Sequence, residues 1–215
     1  MKKLLLIILS ICLALSFVAC GTQTGDNDQQ TSTPDTSSST QPSTDGTEST
    51  GGDENQNTTS PVFDLQKGTV TLNNGIEMPI LGIGTFALSD SDAEESVYWA
   101  LHDGYRLIDT ARIYGDEAGV GRAIKRAIEE GFVTREEIFV TTKMWTTDYD
   151  NGDAAINASL ERLGLDYIDL MILHHSQPSN DIGAYQAMEK AVEDGRLRSI
   201  GLSNYYDPDD FDRVV

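Results

Sequence analysis

The chain has 215 residues and a formal net charge of −20, of which −15 falls on Pro61–Val215. A surface that acidic excludes nucleic-acid binding through phosphate neutralisation and electrostatic attraction to anionic lipid. Both cysteines, Cys12 and Cys20, lie in the first twenty residues, so nothing beyond them can use a thiol nucleophile, a disulfide or a thiolate metal site, and no metal is expected.

Met1–Cys20 opens with Lys2 and Lys3, continues with an apolar run from Leu4 to Leu15, and ends in Val18-Ala19-Cys20-Gly21. A basic start, a short apolar segment and small residues before a break read as a secretory signal, and the run is too short for a comfortable transmembrane helix, which needs about 20 apolar residues. The last four residues resemble a bacterial lipoprotein signal. That resemblance implies a lipidated Cys20, a lipid bilayer as partner, and a protein held on the extracytoplasmic face of the cell membrane. Gly21–Ser60 is rich in Ser, Thr, Gly, Asp, Asn and Gln, with no Lys or Arg. Its few apolar groups cannot offset the entropy of ordering it, so it is predicted to be a disordered acidic tether.

Pro61–Val215 is long enough to bury a sizeable core. Thr69–Leu72 and Ile76–Ile80 flank Asn73-Asn74-Gly75, a β-hairpin signal. A repeat follows. Strands are predicted at Ile80–Thr85, Arg106–Ile108, Glu137–Thr141, Tyr167–Leu173 and Ser199–Leu202. Between them lie helices over Ser91–Gly104 (capped by Ser91 or Asp92), Ala118–Gly131, Asp153–Gly164 and Ile182–Gly195, and another opens at Asp207-Pro208. The helices show apolar stripes, such as Val120, Ala123, Ile124, Ala127 and Ile128 in the second, and Tyr185, Met188 and Val192 in the fourth. Strand and helix alternating at this spacing imply parallel pairing with helices outside. An open dinucleotide-binding sheet would want three glycines after its first strand, and Gly82-Ile83-Gly84-Thr85-Phe86-Ala87 has two. In a (β/α)8 barrel the informative residues stand at the carboxyl ends of the strands. Thr85, Asp109, Lys143, His174 and Ser203-Asn204 do.

Each of these has an ordinary reading when taken alone. Asp109 could cap a turn, Tyr114 could be a surface aromatic, Lys143 a solvated cation, His174 a core histidine and Ser203-Asn204 a turn. Their recurrence at successive strand ends favours one shared site. The order and spacing of Gly82-Ile83-Gly84-Thr85-Phe86, Ile108-Asp109-Thr110-Ala111, Tyr114-Gly115-Asp116-Glu117, Thr142-Lys143, Asp169–His174 and Ile200–Tyr205 resemble the aldo-keto reductase family. The resemblance covers about Val70 to Val215. It implies a TIM barrel, of which five βα units are present after the hairpin, and a monomer that reduces small aldehydes or ketones with NADP, or with NAD. It implies Asp109, Tyr114, Lys143 and His174 as the catalytic tetrad. Thr85, Ser203 and Asn204, with Asp109, would meet the nicotinamide end of the cofactor.

A tyrosine hydroxyl is a weak acid. An ammonium about 4 Å away can stabilise its phenolate by on the order of 4 kcal/mol at an effective dielectric near 20. Lys143 would do so for Tyr114, Asp109 would hold Lys143, and His174 would donate to the carbonyl oxygen. Phe86, Trp145 and His175 are candidate pocket walls. His175 stands where the family often has another residue, and His102 is expected to be solvated. Eight strands close such a barrel, so the sequence is expected to be an incomplete form of a longer enzyme. An extracytoplasmic location sits awkwardly with a nicotinamide cofactor and raises an alternative: a membrane-anchored binding module or inactive fragment built on the barrel.

Overall fold

The structure, a computed structural model, describes residues 62–215. The expected signal Met1–Cys20, its Cys20, and the tether Gly21–Ser60 lie outside the described residues.

The first element differs from the hairpin expected. β1 (Val62–Asp64), β2 (Thr69–Thr71) and β3 (Glu77–Pro79) form an antiparallel sheet in that order. The turn between β2 and β3 is the anticipated one. Gly75 adopts φ 84°, its N–H donates to the Leu72 carbonyl at 2.9 Å, and the Leu72 N–H donates to the Ile76 carbonyl at 2.8 Å. β1 escaped notice because it is three residues long and Val62 and Phe63 are exposed, so no burial alternation marks it.

The parallel sheet has the order β4 (Gly82–Gly84), β5 (Leu107–Asp109), β6 (Phe139–Met144), β7 (Ile168–Leu173) and β8 (Leu197–Leu202). The helices α1 (Asp90–His102), α2 (Glu117–Glu129), α3 (Gly152–Leu163) and α4 (Asp181–Glu193) alternate with these strands, and α5 (Pro208–Val214) follows β8. Sequence-neighbouring strands pair in parallel along the whole sheet, as the strand–helix repeat requires. The side chain of Asn74, in the β2–β3 turn, donates to the Arg198 carbonyl at 3.1 Å and to Ser199 Oγ at 3.0 Å, which pins the small sheet to the amino-terminal end of β8.

Several boundaries moved, each for a local reason. β6 begins at Phe139 rather than Glu137 because Thr134 and Glu137 form a reciprocal capping box around a 3-10 turn, Arg135–Glu137. It also runs on to Met144, which places Lys143 inside a fully buried strand rather than after it. α1 is capped by Ser89, whose Oγ accepts from the Asp92 N–H at 3.1 Å, rather than by Ser91 or Asp92. Ile128 and Val192 were read as part of apolar stripes, yet they stand 37% and 36% exposed at the rims of α2 and α4. Val120, Ala123, Ile124, Ala127 and Met188 of those stripes fill one core with Val97, Leu101, Ile156 and Met171, and half-buried Tyr185 packs against it.

Helix α2 packs unusually close to both neighbours. A Cβ on Gly119 would sit 2.0 Å from the Asp90 carbonyl oxygen, and one on Gly121 would sit 2.2 Å from that of Leu163. Main chain meets main chain there, so only glycine fits. Below the site, Asp169 on β7 is fully buried. It accepts from Arg135 at 2.7 Å, from Arg198 at 2.6 Å and from the Val140 N–H at 3.0 Å. Two guanidinium groups compensate the buried carboxylate and tie β6, β7 and β8 into one frame.

Candidate active site

The carboxyl ends of β4 to β8 gather the residues singled out in the sequence. Asp109 is the last residue of β5. The chain then makes a 3-10 turn, Arg112–Tyr114, which Gly115 ends at φ 77°, a left-handed conformation that costs glycine nothing. This turn brings Tyr114 back over the strand ends. Lys143 lies beneath it, 8% exposed. The lysine Nζ donates to Asp109 Oδ1 at 2.5 Å, to the Thr110 carbonyl at 2.9 Å and to the Tyr114 hydroxyl at 3.4 Å. An ammonium has three donors, and all three have partners in this arrangement. The charge is therefore held in place next to the phenol.

His174 is the first residue after β7, and its N–H donates to the Met144 carbonyl at 3.1 Å. Its ring lies 5.9 Å from that of Tyr114, edge to face. Burial, then the Lys143 charge and His175, push its pKa down to about 4, with Asp109 opposing them. The imidazole is therefore neutral at pH 7 and has one N–H to give. Its Nδ1 is buried with no partner. Because the folded value lies below the ordinary 6.5, the unfolded chain binds more protons than the folded one between pH 6.5 and about 4. Folding stability contributed by this residue falls as pH drops through that window and levels off below it. Thermal unfolding across the window should show a steeper loss of Tm in the wild type than in His174→Gln; equal slopes would contradict the neutral assignment.

The residues expected to wall a pocket lie beside Tyr114 and His174. Phe86 is 75% exposed and meets the Tyr114 ring edge-on at 5.1 Å. Trp145 meets His174 at 5.2 Å and His175 at 5.3 Å, and His175 stacks on His174 at 5.1 Å with 16° between the planes. The main chain of His175 is fixed as well. Buried Tyr149 donates its hydroxyl to the His175 carbonyl at 2.8 Å and accepts from the His175 N–H at 3.2 Å. His102 is solvent-exposed on α1, as anticipated.

Thr85 is buried, with its N–H donating to the Asp109 carbonyl at 3.0 Å and its hydroxyl 3.4 Å from the same oxygen. The Ser203 N–H donates to the Leu173 carbonyl at 2.9 Å. Asn204 is left-handed at φ 57°. Its amide nitrogen donates to the His174 carbonyl at 2.8 Å and to Ser203 Oγ at 3.1 Å, and its Oδ1 accepts from the Tyr206 hydroxyl at 2.5 Å. Asn204 is thus a strut for His174 as well as a cofactor candidate, a double role that its identity did not reveal. A carboxamide still finds partners here. The Ser203 hydroxyl accepts from Asn204 and keeps its own hydrogen to donate, and Asn204 Oδ1 retains a second lone pair. The donor set fits a nicotinamide.

Sequence reading missed the Thr110 carbonyl as a lysine partner, because a main-chain acceptor leaves no trace in residue identity. It also missed a cleft of about 750 Å³ at the amino-terminal side, lined by Gly68, Pro79, Tyr105 and Arg106 among others. That cleft contains none of the tetrad.

Residues 65–214 match the aldo/keto reductase family. The chain belongs to that family. A glyoxal reductase from Bacillus subtilis is 46% identical over 142 residues, which are 65% of this chain and 50% of the relative. A Bombyx mori aldo-keto reductase, solved in complex with NADP, is 40% identical with a TM-score of 0.58, covering 62% of this chain and 49% of that one. An aldo/keto reductase from Brucella melitensis is 42% identical with a TM-score of 0.63, covering 68% and 55%. The chain spans about half the length of the curated relatives it matches. The fold of these reductases is the (β/α)8 barrel, and β4 to β8 with their helices are five of its βα units.

Proposed function

We propose that the protein reduces small aldehydes or ketones to alcohols with NADPH, NADH being the alternative donor, and that Asp109, Tyr114, Lys143 and His174 carry the reaction. The observation that supports this most is the Lys143 ammonium held between Asp109 and the Tyr114 hydroxyl beside a neutral His174. When bound, the cofactor supplies a hydride to the carbonyl carbon. Ser203 and Asn204 would orient its carboxamide, with Thr85 and Asp109 close by. The neutral His174 donates its N–H to the carbonyl oxygen and fixes the angle at which the carbon is presented. Tyr114 gives that oxygen its proton, and Lys143 balances the charge left on the phenol. Phe86, Trp145 and His175 wall the substrate with aromatic surface, which suits a small, uncharged carbonyl compound. The protein acts as a monomer on this reading.

Cofactor-fluorescence titration with NADPH and NADH tests the proposal. Saturable binding of either, with turnover of a small aldehyde, is expected of the enzyme. Binding of neither would sink the reductase reading and favour a barrel-derived module that binds something else.

The sequence of Met1–Gly21 supports a location: a lipid on Cys20 holding the reductase to the extracytoplasmic face of a bacterial membrane. Acyl chains add about 0.8 kcal/mol per buried methylene, so more than one chain is needed for a stable anchor. The protein should then fractionate with membranes and Cys20→Ser should not; equal partitioning of the two would remove the anchor.

A further inference from the structure

We propose that Thr110 and Asp116 form a positioning pair that holds Lys143 and Tyr114 at their working distance, an inference that rests on the reductase reading above. Both residues are fully buried. The Thr110 hydroxyl donates to Asp116 Oδ1 at 2.7 Å. The same threonine presents its carbonyl to Lys143 Nζ at 2.9 Å and donates its N–H to the Thr141 carbonyl on β6 at 2.9 Å. Asp116 anchors the other end of the loop, where its carbonyl accepts from the Val120 N–H at 3.0 Å in the first turn of α2. The side-chain bond therefore closes the segment Thr110–Asp116 on itself, and Tyr114 lies within that segment.

The pair is a poor device for stability alone. Asp116 stands at the amino-terminal end of α2, where a carboxylate ordinarily caps free N–H groups and meets the positive end of the helix dipole. Its side chain makes no capping hydrogen bond and turns to Thr110 instead. Its Oδ2 is buried and has no hydrogen-bond partner, an arrangement that costs free energy on folding. Two apolar residues of similar shape would fill the space without that cost. What the polar pair supplies is position. The Lys143–Tyr114 contact is 3.4 Å, at the outer edge of hydrogen-bonding distance. A few tenths of an ångström of slack in the loop would break it. Thr110 belongs to the brace and also meets the lysine directly.

Three variants of the full chain test this. Thr110→Val leaves Asp116 buried without its donor and risks unfolding, so it is paired with Asp116→Leu, which replaces the polar pair by an apolar one. The double variant should fold with a Tm no lower than wild type, lose about ten- to a hundredfold in kcat, and keep its KM for carbonyl substrate. Thr110→Ser, which keeps the hydroxyl, should recover most of the loss. The third readout needs no turnover: the ring-carbon resonances of Tyr114, assigned by their absence in Tyr114→Phe, should be narrow in wild type and broadened or multiple in the double variant. A folded double variant with wild-type kcat and unchanged Tyr114 resonances would overturn the positioning role. If wild type binds no cofactor and turns nothing over, the reductase reading fails, and the Tyr114 resonances alone decide whether the brace exists.

Discussion

Tyr114→Phe should abolish carbonyl reduction while leaving NADPH affinity within about twofold of wild type. The substitution removes one oxygen and little else. The phenyl ring keeps its edge contacts with Phe86 and His174, so the aromatic wall survives. Lys143 loses its longest contact and keeps Asp109 and the Thr110 carbonyl, so the ammonium stays where it is. No other hydroxyl touches the lysine among the described residues, and a neutral His174 can share its N–H in a hydrogen bond but is too weak an acid to release it, so no neighbour can replace the lost acid. Positioned proton transfer contributes roughly 10²- to 10⁴-fold, and a loss at or above the upper end is expected because the same group also completes the charge arrangement around Lys143. The measurement is kcat for a small aldehyde beside a fluorescence titration of NADPH. Turnover above a tenth of wild type would mean that the proton comes from elsewhere, water included. A parallel loss of cofactor affinity would mean that Tyr114 acts in binding rather than in chemistry.

What the sequence disclosed about this site, and what it withheld, divides along a physical line. The parallel sheet was legible because short, largely apolar strands alternate with helices, the first four of which run into a glycine: Gly104, Gly131, Gly164 and Gly195. Asp109, Lys143 and His174 were legible only together: each has an ordinary reading alone, and their recurrence at successive strand ends, with the resemblance they carry, singled them out. β1 was not, since three exposed residues carry no pattern. The start of β6 was misplaced because Thr134 and Glu137 stop the chain with a local capping box, which competes with extended structure on equal terms. Main-chain partners were invisible in principle. The Thr110 carbonyl under Lys143, the His174 carbonyl under Asn204 and the doubly held main chain of His175 depend on where loops return, not on what their residues are. The same holds for Asn204. Its identity suggests a carboxamide ligand, and only its left-handed backbone and its bond to His174 reveal that it also holds the loop after β7.

Lys143→Met should be nearly as damaging to turnover as Tyr114→Phe and should still fold. The two effects separate because the two charges sit in different surroundings. Lys143 is buried within β6, whereas the Asp109 side chain is 41% exposed. Removing the lysine therefore strands no carboxylate in the interior: Asp109 is left with water as its partner, and the usual heavy cost of breaking a buried ion pair does not apply. Methionine fills the lysine's space with an unbranched chain of similar length. The remaining cost is the Thr110 carbonyl, which loses its donor, an effect of about 1–3 kcal/mol at most. Chemistry has no such relief. The phenol of Tyr114 loses the only cation that touches it among the described residues, and proton transfer to the carbonyl oxygen loses its charge balance. A loss on the order of 10³-fold or more in kcat is expected, with Tm lowered by roughly 2–12 °C. Lys143→Arg should not rescue it. A guanidinium is a planar fork, and the three acceptors here (Asp109 Oδ1, the Thr110 carbonyl and the Tyr114 hydroxyl) are met by one nitrogen. Substantial activity in Lys143→Arg would show that any nearby positive charge suffices, and that the three-way grip on a single ammonium is not what the reaction requires.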